Sequence, residues 1–184
     1  MTKSKKSSLM LTKSLPSSDR PTSLLAKFRN NRVLGVDPGF DRVGIAVMEN
    51  DKLLFSKCLE TNRKLPHSER LVEVGQQVRE VINEWSPDSL AIEELFFNKN
   101  TTNAMKVAEA RGIILYESAL AKLKIYPYSP QAIKLAVTGY GKADKSAVEN
   151  MVRKLAKLDE VKRLDDELDA IALCITHLAT RRVI

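Results

Sequence analysis

Residues 33–47 read VLGVDPGFDRVGIAV. Val33 to Val36 is a short apolar run, enriched in β-branched residues, of the kind that fills a buried strand. Asp37 stands at its end. Pro38 and Gly39 break the strand there, and a second apolar run opens at Val43, so the stretch reads as a hairpin. An aspartate on the last residue of a central strand is held rigidly, which is what a metal ligand or catalytic group needs. Asp-Pro-Gly is also a good turn sequence, so capping the turn is the other role open to Asp37.

The chain has 184 residues, enough for one domain with a sizeable core plus tails. Its hydrophobic fraction of 43% is that of a globular protein. No apolar run approaches the roughly 20 residues that cross a membrane. Cys58 and Cys174 lie far apart inside apolar patterns, as core residues of a reduced, intracellular protein would. A cytoplasmic protein is therefore expected. His67 and His177 are the only histidines, which excludes a histidine-rich metal site. Any metal would be held by carboxylates, a donor set suited to a hard cation such as magnesium.

The net charge of +7 is unevenly spread. Residues 1–32 hold eight basic residues against Asp19, so residues 33–184 sum to zero. Residues 1–31 are rich in Ser, Lys and Thr and read as a flexible basic tail ahead of a domain at 32–184. The scarcity of acids leaves an organelle transit peptide open, although the tail is Lys-rich rather than Arg-rich. From Lys122 to Lys154, seven basic residues face two acidic ones. That zone suits phosphate contact, and it also suits a plain solvated surface.

Lys52 to Glu60 makes a third strand, so the chain begins as an antiparallel meander. Pro66 opens a helix to about Trp85, with Leu71, Val74, Val78, Val81 and Ile82 on its buried face. Leu90 to Ile92 is a short strand ending at Glu93 and Glu94. A long helix is expected from Thr101 to Leu123, a strand from Ile125 to Tyr128, then helices from Pro130 to Val137, from Asp144 to about Leu158 and from Leu164 to Thr180. A meander followed by strand–helix alternation implies an α/β fold, a mixed five-stranded sheet with helices on both faces. Asp37 and Glu93 would be neighbours if their strands are parallel and adjacent, at the edge where open α/β sheets place their sites.

The last helix adds Asp166 and Asp169, three residues apart and so on one face. Its apolar stripe is Leu164, Leu168, Ile171, Ile175 and Leu178, and Asp169 borders it. Asp165 and Glu167 lie further round and remain alternatives. Acids also favour a helix's first turn for its dipole alone. Four acids converging on one strand end can hold two divalent cations about 4 Å apart, the arrangement for phosphodiester hydrolysis.

Asp-Pro-Gly on strand one, AIEELFF at strand four, KVAEARG, QAIKLAVTGYGKADKSAV and DELDAIALCITH together resemble the RuvC family of Holliday-junction resolvases. The resemblance runs from about Val33 to His177, with the motifs in the family's order. It implies an RNase H-like fold and a metal-dependent crossover junction endodeoxyribonuclease. By motif position, Asp37, Glu93, Asp166 and Asp169 would be the catalytic, metal-binding carboxylates. They would hold two Mg2+ per subunit, with Mn2+ as a substitute. Lys134 and Lys145 match the family's functional lysines, and Phe96 matches the aromatic associated with the junction's crossover bases. Lys142 and Arg42 are further DNA-binding candidates; for Arg42 a turn salt bridge is the competing role. The implied partners are a four-way DNA junction, a second copy of the chain docked through the long helix, and a RuvA/RuvB-type branch-migration complex.

The residues Phe40-Asp41 and Ile45 depart from the family's usual first hairpin, and the basic leader is additional. A Gly-Val-Asp-x-Gly hairpin also opens actin-like ATPases and sugar kinases, which need two such domains. A YqgF-like nuclease acting on other nucleic acids would lack the Phe96 and Lys145 contexts. A junction-binding module without catalysis would lack at least one of the four carboxylates, and none is missing.

Overall fold

The computed structural model describes residues 31–95 and 101–181, with side chains from residue 104 in the second stretch. The basic tail and Phe96 lie outside the described residues. The elements are β1 (Arg32–Asp37), β2 (Arg42–Glu49), β3 (Lys52–Glu60), α1 (His67–Trp85), β4 (Ser89–Glu93), α2 (Thr101–Leu120), β5 (Lys124–Tyr128), α3 (Pro130–Thr138), α4 (Lys145–Leu155) and α5 (Asp165–Arg181).

They form one five-stranded sheet in the order β3-β2-β1-β4-β5. β1, β2 and β3 are the antiparallel meander, while β4 lies parallel to β1 and β5 parallel to β4. β1 is therefore central, and its buried residues point to both faces. Leu34, Val36, Ile45, Leu90 and Ile92 pack with Val74 and Val78 of α1 and Ile114 of α2. Val33, Ala46, Met48 and Ala91 pack on the opposite face with α3, α4 and α5. This is the mixed sheet covered on both faces that the element order implies.

Local chemistry sets the helix ends near the carboxyl edge of the sheet. Ser129 caps α3, its hydroxyl accepting from the Ala132 amide, with Pro130 behind it at the first helical position. Gly139 ends α3 at φ 77°, a left-handed conformation that favours glycine. Asp144 caps α4 by accepting from the Ala147 amide.

Several expectations shift. α2 ends at Leu120, before the left-handed Lys122, and α4 ends at Leu155. α5 is buried nearly all round rather than along one stripe, from Leu168 through Leu178, because it lies between the sheet and the α3–α4 layer. Leu164, expected in its stripe, precedes the helix and is exposed. Cys174 is a core residue as expected, whereas Cys58 is only half-buried. No helix among the described residues is long and apolar enough to cross a membrane.

Candidate active site

β1 and β4 pair in parallel up to Val36 opposite Ile92, so Asp37 and Glu93 emerge side by side at the next position. α5 crosses the same edge and presents Asp169. These three carboxylates line one cavity of about 270 Å3, together with Lys134 of α3, Lys145 of α4, and the apolar Ile133, Val148 and Leu173. Glu94 does not line this cavity, and its backbone amide donates to the Tyr128 carbonyl at 2.9 Å. Glu93 is thus the acid of the Glu93–Glu94 pair that faces the cavity. Its carbonyl accepts from Arg111 Nε at 3.1 Å, which ties the strand end to α2.

The cluster is electrostatically costly. Burial, then Asp169, Glu93 and Asp166, push the Asp37 carboxyl up to about 8. Burial raises Asp169 to about 6 against the lowering influence of Lys145, and burial and Asp169 raise Glu93. Buried like charges of this kind call for a cation. Lys145 supplies part of one. Its Nζ lies 2.7 Å from Asp165 Oδ2, and that hydrogen bond raises the lysine and lowers the aspartate. Asp165 is thereby assigned to Lys145. Glu167 accepts from Ser56 Oγ at 2.6 Å and pairs with Arg163 at 3.2 Å. Neither of these two alternative acids lines the cavity.

The fourth expected ligand is placed differently. Asp166 Oδ2 pairs with Arg42 Nε at 3.1 Å and lines a neighbouring cavity. It stays close enough to raise Asp37. Among the described residues no three Asp, Glu, His or Cys side chains are drawn together tightly enough to enclose an ion. Asp166 is drawn instead to the guanidinium of Arg42. The donors still fit a hard divalent cation in charge and type, three carboxylates in one cavity and a fourth beside it.

The model of crossover junction endodeoxyribonuclease RuvC matches residues 33–177. The chain belongs to the RuvC family. It is 42% identical over 149 residues to crossover junction endodeoxyribonuclease RuvC of Halothermothrix orenii, covering 79% of this chain and 90% of that one. To the RuvC protein of Chloroflexus aggregans it is 42% identical over 153 residues, covering 81% and 93%. Among solved structures, Thermus thermophilus RuvC in complex with Holliday junction substrate superposes with a TM-score of 0.78 at 32% identity, over 83% of this chain and 95% of that one. The yeast mitochondrial Holliday junction resolvase Ydc2 shares the fold at a TM-score of 0.59 and 11% identity, over 84% and 82%. The fold is thus the RNase H-like fold of RuvC proteins.

Of the remaining RuvC-motif candidates, Lys134 and Lys145 face the carboxylates. Lys142 is exposed and does not line either cavity. Arg42 forms a salt bridge not within its turn but across to Asp166 of α5. The sequence reading passed over Arg70. Its guanidinium is buried, donates to Thr61 Oγ1 at 3.0 Å, pairs with Asp41, and stacks 3.9 Å above the Phe40 ring. It locks the loop between Asp37 and Arg42. The signal was present: Arg70 stands four residues before Val74 and eight before Val78, a charge on an apolar stripe. His67 also stacks on Phe40, at 4.7 Å, and bonds Glu109.

Proposed function

We propose that this protein is a structure-specific endonuclease that resolves four-way DNA junctions by paired symmetric nicks, in homologous recombination and repair. The observation that carries this reading is the convergence of Asp37, Glu93 and Asp169 with Lys134 and Lys145 on one cavity at the carboxyl ends of β1 and β4. Asp37, Glu93, Asp169 and Asp166 are the groups that would hold two divalent cations, Mg2+ or its substitute Mn2+. When bound, such ions activate a water and neutralise charge on the phosphate under attack.

The chain's own residues supply the rest. The strand ends fix Asp37 and Glu93, and the buried α5 fixes Asp169, so these three donors need little reorganisation. Lys145, held by Asp165, aims a point charge at the scissile phosphate as negative charge builds there. Lys134 borders the same space and binds the strand. Ile133, Val148 and Leu173 keep one wall dry, which strengthens each of these interactions. Phe96 would stack on an unpaired base, worth about 1–3 kcal/mol.

A four-way junction is two-fold symmetric, so a C2 dimer presents two equivalent sites. α2 carries exposed Met105, Tyr116 and Leu120, with open space above Gly112, a face suited to a second copy. A branch-migration complex of the RuvA/RuvB type would feed the junction to it. Free Cys58 and Cys174 suit the reducing cytoplasm.

A mobile four-way junction with Mg2+ should be nicked symmetrically, and Asp37→Asn should bind it without cutting. Cleavage surviving that substitution would overturn the assignment of the carboxylates. Equal cutting of linear duplex would point to a general nuclease.

A further inference from the structure

A second cavity, of about 590 Å3, opens beside the carboxylates and is lined by Phe40, Asp41, Arg42, Arg63, Lys106 and Asp166, among others. Three of these side chains are cationic, and among the described residues none is committed to a strong partner. Arg63 reaches Asp41 at 3.4 Å, but Asp41 is already taken by Arg70. Arg42 holds Asp166 through one nitrogen, with its side chain 43% exposed. Half-exposed pairs of this kind are worth little and exchange readily. A phosphodiester oxygen pair matches a guanidinium in two-point geometry that this single contact lacks.

The floor of the cavity excludes a base as the ligand. Phe40 is buried, with the Arg70 guanidinium 3.9 Å from its ring centroid, the His67 ring stacked at 4.7 Å and Lys106 Nζ at 5.6 Å. A buried ring offers a base no surface to stack on. The cavity offers charge, and its neighbour is a cluster made for a phosphodiester.

We propose that this cavity is a second phosphate subsite, which takes a DNA backbone phosphate flanking the one that is cut, and that Arg42 exchanges Asp166 for that phosphate. The exchange frees Asp166 to join Asp37 and Asp169. DNA contact and completion of the donor set are thereby one event. This inference rests on the nuclease reading above.

Two measurements on the full-length chain test it. The first is Mn2+ binding by calorimetry without DNA. Arg42→Ala releases Asp166 and should bind Mn2+ about five-fold tighter than the natural protein, whereas Arg63→Gln should stay within about two-fold. The second is junction binding in EDTA across a salt series. Arg42→Ala and Arg63→Gln should each reduce the slope of log K against log salt by about one. Equal Mn2+ shifts in the two variants would mean charge acting through space and would overturn the exchange. An unchanged salt slope in Arg42→Ala would overturn the phosphate contact. A natural protein that binds no four-way junction would overturn the nuclease reading as well.

Discussion

Gly44 lies against the main chain of Asp166: a Cβ on Gly44 would stand 1.7 Å from the Asp166 carbonyl oxygen. On β1, a Cβ at Gly35 would stand 2.3 Å from the carbonyl of Ala170. α5 therefore docks backbone to backbone on β1, which carries Asp37, and on its neighbour β2. The depth of that contact decides how far Asp166 and Asp169 stand from Asp37.

Gly44→Ala must push α5 off the sheet. We expect a loss of about 3 kcal/mol in unfolding free energy, in the range for overpacking a rigid core contact. Junction cleavage should fall by at least about 100-fold, since displacements of about 1 Å at a site cost that much. Denaturant unfolding and a gel cleavage assay read both effects. Full activity in the variant would show that the helix position is not what sets the carboxylates.

Asp37→Asn should abolish cleavage and yet stabilise the metal-free protein. The folded Asp37 carboxyl is raised to about 8 by burial and its acidic neighbours, so the folded chain holds a proton that the unfolded chain gives up near 3.8. The natural protein thus loses stability as pH rises from about 4 to 8, and asparagine does not. In EDTA the unfolding midpoints of the two should coincide near pH 4 and separate with rising pH, with the variant higher. A lower midpoint for the variant at pH 8 would contradict the burial of an uncompensated charge.

Lys145→Gln should separate catalysis from folding. Its partner Asp165 is exposed, and exposed pairs contribute about 0–1 kcal/mol. The unfolding midpoint should barely move, while the single-turnover cleavage rate falls about 100-fold, as for loss of one charge-stabilising group. Asp165→Asn, which keeps the lysine, should lose less than about ten-fold. Equal losses in the two variants would make Asp165 as important as the lysine.

His177 predicts an acid-sensitive core. It is fully buried between Ser89 Oγ at 3.0 Å and Tyr128 OH at 2.8 Å. Burial, then Arg181, lower its pKa from 6.5 to about 4. On acidification the unfolded chain takes up this proton first, so the contribution is complete above about pH 6.5 and is lost on the way to pH 4. Raised Asp37 and Asp169 act with the opposite sign, so the comparison must be with His177→Gln. The natural protein's stability relative to that variant should shrink by about 3 kcal/mol between pH 7 and pH 4. A pH-independent difference would show that His177 titrates normally.

The element order was legible because it depends on local periodicity. The apolar runs around Asp37, the alternation after β3, and the caps Ser129 and Asp144 each act within a few residues. The convergence of Asp37 and Glu93 was legible too, once β1 and β4 were taken as parallel neighbours. The all-round burial of α5 was written in the unbroken apolar run from Ala170 to Ile175, but the elements that cover its second face, α3 and α4, were not, because periodicity gives a helix's faces and not its neighbours.

Asp37 at the end of a β-branched strand, and the acids at Asp166 and Asp169, were determined by the sequence alone. Which acid faces which cation was decided only in three dimensions. Asp165 goes to Lys145 and Asp166 to Arg42 because those cations come within reach when α5 seats on Gly35 and Gly44. Charge type is written in the chain, but a charge pair is settled by distance, and only the tertiary packing sets that distance.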